Sequence, residues 1–363
     1  MGICFSSSSS DKEAFASSEK QESVADNIVF WEQDDESSPN CEKVKSIASL
    51  YSQQGKKGVN QDAAILCKGY GGEDGLFCGV FDGHGRSGHA VSRLVRDHLP
   101  CLLLSELRAL QRSNDENEFT DGNDTSSTDG ETGGGSSPAP ELLHEWKEAC
   151  TNGFNAMDQE LMLKPELDCS SSGTTAVTII KQGKDLIIAN LGDSRAVMGA
   201  KSEEGQLEAV QLTTDLKPSL PQEAERIRKK EGRVFALKGE PHVQRVWLPT
   251  ENFPGLAMSR AFGDFHLKNH GVISVPQVTH RRLAGGDLFV VLATDGVWDV
   301  LSNEEVVSIV WSSKSNEEAS RTLVEAARRA WKSKFPSAKV DDCTAACLFF
   351  QERRADIATS NSQ

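Results

Sequence analysis

The sequence predicts one large α/β domain built in layers, with paired sheets flanked by helices. Three observations lead there. Strand-like runs outnumber helical ones, several of them are too apolar to lie exposed, and they are mixed with stretches whose apolar residues return at helical spacing. The 363 residues allow two domains or one large one; no internal repeat divides them, and the element pattern is read as one large domain.

Taken in order, residues 1–40 are rich in Ser, Glu and Asp without hydrophobic periodicity, and are expected to form a disordered leader to a domain spanning 41–352. Short strands are expected at 44–50 and 63–67. A nearly continuous apolar strand at 76–81 runs into Asp82-Gly83-His84-Gly85. Val91, Leu94, Val95 and Leu99 mark a helix over 87–111, which Pro100 is expected to split. Residues 113–140 form an acidic, low-complexity insertion, read as a solvated loop. A helix follows at 142–163, then three strands at 174–180, 185–190 and 195–199 with tight glycine-containing turns. Helices are expected at 221–231, 304–311 and 316–334, apolar strands at 288–293 and 344–350, and a disordered tail at 353–363.

The chain carries 39 basic and 54 acidic side chains, a formal charge of −15. Segments 1–40 and 113–140 hold −7 each, which leaves −1 for the rest. With the rest of the chain close to neutral, a nucleic-acid binder that works by neutralising phosphates starts as a weak reading. No window of 18 apolar residues is present to span a membrane, and the polar start lacks the apolar core of a signal peptide. The nine cysteines include no CxxC pair, so buried thiols in a reducing compartment are expected rather than a zinc ribbon. That points to the cytoplasm or nucleus. The opening Met1-Gly2-Ile3-Cys4-Phe5-Ser6 nevertheless fits the pattern for myristoylation of Gly2. One acyl chain anchors only marginally, and an acidic leader is repelled by an anionic leaflet. Cys4 is therefore the candidate second anchor, by S-acylation, which would bring the protein to the plasma-membrane surface.

Three times an apolar strand runs straight into an aspartate beside a glycine: Asp82-Gly83, Gly192-Asp193 and Asp295-Gly296. A fourth acidic pair, Asp341-Asp342, stands just before the last apolar strand. Asp and Gly are ordinary turn residues, which accounts for one or two cases but less well for their recurrence. Carboxylates gathered at converging strand ends repel unless a cation cancels their charge. An oxygen-only donor set suits Mg²⁺ or Mn²⁺ rather than zinc. Two such ions can activate a shared water and clamp a phosphoryl oxygen, so the pattern points to metal-assisted phosphoester hydrolysis.

Two rival readings use overlapping residues. Gly83-His84-Gly85-Arg86-Ser87-Gly88 matches the dinucleotide fingerprint, yet Asp82 would set a negative charge where pyrophosphate approaches, and the expected βαβ unit does not close. Cys347 and Arg353 have the spacing of a cysteine phosphatase, but the residues between them are Leu-Phe-Phe-Gln-Glu, which cannot form a phosphate-cradling loop. Protein-kinase signatures are missing from the sequence.

The ordered motifs together carry a resemblance. They are Gly58-Val59-Asn60-Gln61-Asp62, Val80-Phe81-Asp82-Gly83-His84-Gly85, Ser172-Gly173-Thr174-Thr175-Ala176 and Asn190-Leu191-Gly192-Asp193-Ser194-Arg195. Then follow Asp215-Leu216-Lys217-Pro218, the stretch from Leu256 to Asp264, Ala293-Thr294-Asp295-Gly296-Val297-Trp298-Asp299 and Asp341-Asp342-Cys343-Thr344. Over residues 45–352 the chain resembles the metal-dependent protein phosphatase 2C family, of plant type. The resemblance implies an α+β fold, a layered α/β/β/α sandwich with two central, mostly antiparallel sheets. It implies a serine/threonine phosphatase with two Mg²⁺ or Mn²⁺ ions, bridged by Asp82, with the Gly83 carbonyl on one and Asp295 and Asp341 on the other. Asp341 rather than Asp342 takes the family's ligand position. Asp193 and Asp215 stand where some relatives hold a third ion, and His84 stands at the place of the general acid. Phosphoprotein substrates attacked directly by water are implied, and a monomer is expected.

Three departures stand out. Lys57 replaces the arginine that forks around the phosphate in many relatives, and gives a point charge instead. Gln61 stands where many relatives have Glu, which would weaken the second metal. Leu216 replaces a more usual His. Residues 219–254 should form the variable flap, where Trp247 is a candidate contact for a regulatory partner, as some plant relatives use a flap tryptophan. The alternative from another class is a catalytically silent scaffold of the same fold, binding phosphoproteins or a membrane partner.

Overall fold

The apolar runs become the central strands of two stacked sheets, buried on both faces. The structure is a computed structural model that describes residues 27–32, 47–120 and 139–351. In chain order the first elements are β1 (Ile28–Glu32), β2 (Ala48–Gln53), β3 (Asp62–Lys68), β4 (Leu76–His84), α1 (Gly88–Thr120) and α2 (Ala139–Met162). Next come β5 (Gly173–Thr174), β6 (Ala176–Gln182), β7 (Asp185–Leu191), β8 (Arg195–Lys201), β9 (Leu207–Gln211) and α3 (Pro221–Lys229). Short pieces follow: β10 (Arg233–Ala236), β11 (Gln244–Trp247), β12 (Pro254–Leu256), β13 (Phe262–Gly263) and α4 (Phe265–Lys268). The last are β14 (Gln277–Arg282), β15 (Asp287–Ala293), α5 (Asp295–Trp298), α6 (Asn303–Trp311), α7 (Ala319–Lys334) and β16 (Cys343–Phe349).

The first sheet runs β1-β3-β4-β6-β7-β14, with β5 and β13 attached beyond the end of β4. The second runs β2-β16-β15-β8-β9, and β10-β11-β12 make a small third. The strand β1 lies parallel to β3; the other strand pairs are antiparallel.

Alternation along each strand sends successive side chains to opposite faces, so strands covered on both sides need no polar stripe. Leu76, Cys78 and Val80 of β4 meet Val290 and Leu292 of β15 between the sheets. Phe77 and Phe81 point the other way, onto Val91, Val95 and Leu99 of α1 and Trp146 and Phe154 of α2. Phe289 and Val291 of β15 pack beneath Val306 and Val310 of α6 and Leu323 and Trp331 of α7. The layers therefore run helix, sheet, sheet, helix, as expected. No helix among the described residues is long and apolar enough to cross a membrane.

Several local expectations need correction. Pro100 does not split its helix: Val91, Val95, Leu99, Leu103 and Leu107 continue one buried stripe through it, and their burial outweighs the roughly 3 kcal/mol an interior proline costs. The Pro100 carbonyl accepts a hydrogen bond from Tyr70 Oη at 2.7 Å. The leader is not without structure throughout, because its one apolar run pairs as β1 with β3. The strand expected at 44–50 is β2, shifted to 48–53. Helices α1 and α2 extend into both ends of the 113–140 insertion, whose centre, 121–138, lies outside the described residues. So do the leader up to residue 26 and the tail from 352.

Candidate active site

The acidic residues singled out by motif meet at one end of the sandwich, each carried by a strand tip. Asp82 and Gly83 close β4, and Asp62 at the start of β3 pairs directly with Asp82. Asp193 sits in the turn from β7 to β8, Asp295 follows β15 by two residues, and Asp341 and Asp342 precede β16. The glycines are a steric requirement. A Cβ on Gly83 would stand 2.5 Å from the Gln61 carbonyl oxygen, and one on Gly296 would stand 1.9 Å from that of Asp342.

Burial and mutual repulsion govern the electrostatics. Burial, with Asp295, Asp62 and Asp341 nearby, pushes Asp82 well above the usual carboxylate range. Burial, with Asp193, Asp299 and Asp341, does the same to Asp295. Asp62 is raised to about 8, again chiefly by burial, although Thr294 Oγ1 donates to it at 2.9 Å. Asp193 is raised by burial, against the pull of Lys217 3.6 Å away, and its Oδ1 is buried without a hydrogen-bond partner.

The adjacent aspartates divide their work. Asp342 accepts backbone N–H bonds from Gly55 at 2.7 Å and Gln61 at 2.9 Å, which ties the 54–61 loop to the start of β16. Asp341 instead pairs with the Lys57 ammonium. Gln61 is a brace: its Nε2 donates to the Gly85 carbonyl at 2.8 Å. Asp215 stands near Asp193, but its two oxygens accept the Arg195 fork at 2.9 and 2.7 Å.

His84 follows Gly83 at the rim. Its Nε2 lies 2.6 Å from Oδ2 of the buried Asp264, and its Nδ1 is buried without a partner. Burial works against the charged imidazole, yet Asp264 holds its pKa above the ordinary value. Gly173 makes room for this pair, because a Cβ there would stand 2.5 Å from the Asp264 oxygen and 2.9 Å from His84 Nε2.

Trp247 does not fit the part of a partner contact. It is 4% exposed, its ring stacks on Phe235 at 4.9 Å, and its Nε1 donates to the Phe235 carbonyl at 3.0 Å. In a small three-stranded sheet the indole is the largest side chain available to fill the core. The sequence reading also passed over four residues of the site: Asp62, Lys217, Asp264 and Asp299. All four stand inside the quoted motifs, so the signal was present, but nothing local to them showed which way they face.

The donor set suits a hard divalent cation. It consists of oxygens, it carries more negative charge than its two lysines cancel, and Asp193 Oδ1 lacks a partner. No three His, Cys, Asp or Glu side chains among the described residues are drawn together tightly enough to hold a metal by themselves. An open arrangement of that kind is what Mg²⁺ or Mn²⁺ accepts, keeping several waters and taking one or two carboxylates.

Comparison with known proteins agrees with this geometry. The protein phosphatase 2C family model matches residues 54–332. A rice protein described as probable protein phosphatase 2C 12 is 55% identical over 327 residues, covering 87% of this chain and 84% of its own. Arabidopsis probable protein phosphatase 2C 72 is 48% identical and covers 97% of this chain and 99% of its own. Among solved structures, the serine-threonine phosphatase 2C of Toxoplasma gondii superposes with a TM-score of 0.70 at 26% identity, covering 84% of this chain and 94% of its own.

Proposed function

The chain belongs to the protein phosphatase 2C family of serine/threonine protein phosphatases, and we propose that it hydrolyses phosphoserine and phosphothreonine in proteins with the aid of two Mg²⁺ or Mn²⁺ ions. The observation that carries this reading is the convergence of partly to fully buried, mutually repelling aspartates from separate strand tips of both sheets.

Asp82, the Gly83 carbonyl, Asp295 and Asp341 would hold the cations, with Asp193 available to a third. When bound, the ions would supply Lewis acidity on the phosphoryl group and a water acidic enough to attack at neutral pH. Lys57, at the rim, contributes positive charge toward the substrate phosphate. His84, whose charged form Asp264 favours, would return a proton to the departing serine or threonine oxygen. The cysteine beside the cluster is no nucleophile: Cys343 is buried, its thiol is pushed far up by that burial, and its Sγ faces the Gly296 carbonyl at 3.3 Å. That favours direct attack by water over a covalent intermediate.

Phosphate release from a phosphothreonine peptide tests the reading. Turnover with Mn²⁺ or Mg²⁺ that EDTA abolishes is expected. A folded protein that binds the peptide but releases no phosphate with either metal would leave the silent scaffold as the better account.

Gly2 and Cys4 lie outside the described residues, and their acylation is proposed from the sequence alone. Membrane fractionation of the full chain is expected to show wild type in the particulate fraction and Cys4→Ser largely released. Equal retention of both would overturn the two-anchor proposal.

A further inference from the structure

We propose that Lys57 is a tethered counter-ion for Asp341, balancing the acidic cluster until a divalent cation binds and then vacating the carboxylate. The cation's place on Asp341 is the one proposed above, and the destination of the freed ammonium rests further on the phosphatase reading.

The contact is built by backbone docking on both sides of the lysine. Gly55 N and Gln61 N donate to the two oxygens of Asp342, and Lys56 N donates to the Val340 carbonyl at 2.8 Å. Gly55 lies so close that a Cβ there would stand 2.3 Å from the Val340 oxygen. The segment 55–61 is thereby laced to residues 340–342, and the Lys57 side chain is delivered to Asp341. Asp295 and Asp82 also attract the same ammonium.

The two partners differ in freedom. The Lys57 side chain is 54% exposed and that of Asp341 is 19% exposed, so the flexible arm can swing while the carboxylate stays. A divalent ion on Asp341 would repel the ammonium at close range, and the lysine would yield because its four-carbon stem reaches solvent. The released point charge would remain over the mouth of the site, where a phosphate dianion enters. Coupling of this kind is reciprocal: an anion that draws Lys57 away from Asp341 favours cation binding by the same factor.

Calorimetric titration of the metal-free full chain with Mn²⁺ tests this without reference to activity. At low salt Lys57→Gln is expected to bind Mn²⁺ about two- to fivefold more tightly than wild type, the range for a partly exposed ion pair. Lys229→Gln removes one positive charge from α3, where Lys229 pairs with Glu225 in its own helix, and is expected to bind as wild type does. Rising ionic strength should shrink the Lys57→Gln advantage. Inorganic phosphate should tighten Mn²⁺ binding more in wild type than in Lys57→Gln. Equal or weaker Mn²⁺ binding by Lys57→Gln would overturn the proposal. Normal Mn²⁺ titrations in a protein that releases no phosphate from a phosphopeptide would overturn the phosphatase reading and leave this inference standing.

Discussion

Asp62 and Asp82 are direct cross-strand partners in the β3–β4 pair, two carboxylates set opposite each other at the rim of the first sheet. Like charges in that relationship destabilise a sheet. Both groups are also pushed up by burial, Asp62 to about 8, so the arrangement is unfavourable until protons or a cation neutralise it.

Asp62→Asn should therefore raise the melting temperature of the metal-free protein near pH 8. The sign follows from linkage: a carboxyl whose folded pKa exceeds its unfolded value of 3.8 gives most stability at low pH and loses it as pH climbs toward about 8. Thermal denaturation in EDTA across that window should fall steadily for wild type and less for the variant. A wild-type curve flat across the window would contradict it.

Asp82→Asn separates stability from turnover. It removes one charge from the cluster, so the metal-free fold should melt no lower than wild type. It also removes a carboxylate that would hold the cations, whose charge stabilisation is worth several kcal/mol, so kcat should fall by about 10³-fold. Parallel phosphate-release assays and melting curves check both halves.

Glu223 holds the loop that leads to Asp264. Its buried carboxylate accepts from Arg226 and Arg260, each at 2.7 Å, and from Ser259 Oγ at 2.6 Å. These partners outweigh burial and lower its pKa to about 2. Here the sign is opposite: the stabilisation is full above 4.5 and disappears as pH falls to about 2. Glu223→Gln should cost about 3 kcal/mol at neutral pH, because it leaves arginines with an uncompensated site. Urea denaturation near pH 7 and near pH 3 should show the difference between variant and wild type shrinking in acid.

Trp247→Ala should destabilise by about 3–5 kcal/mol, the usual range for emptying an aromatic from a core, since Trp247 stacks on Phe235 and abuts Gly255. Trp247→Phe should recover part of that loss. Chemical denaturation checks it; a stable Trp247→Ala protein would instead suit a tryptophan free to meet a partner.

The layered fold and most of the aspartates were legible in the chain because their signals are local. An apolar run long enough to be buried on both faces, then Asp beside Gly, is a strand tip that needs a close backbone approach, as Gly83 and Gly296 show. What local pattern could not supply was direction and partner. Lys57 meets Asp341 across 284 residues of chain, and Asp264 meets His84 across 180. Asp341 and Asp342 are neighbours of identical chemistry, and the structure shows that the backbone of the 54–61 loop docks on Asp342, while Asp341 pairs with Lys57. Trp247 and Pro100 depend in the same way on what packs around them: a small sheet closed over the indole, and an apolar stripe carried through the proline. Sequence by itself determined which residues are apolar, acidic or conformationally free, and therefore the layers and the chemistry at their edge. Only the tertiary structure decided which charges face which, because Coulomb energy and burial depend on distances between segments that lie far apart along the chain.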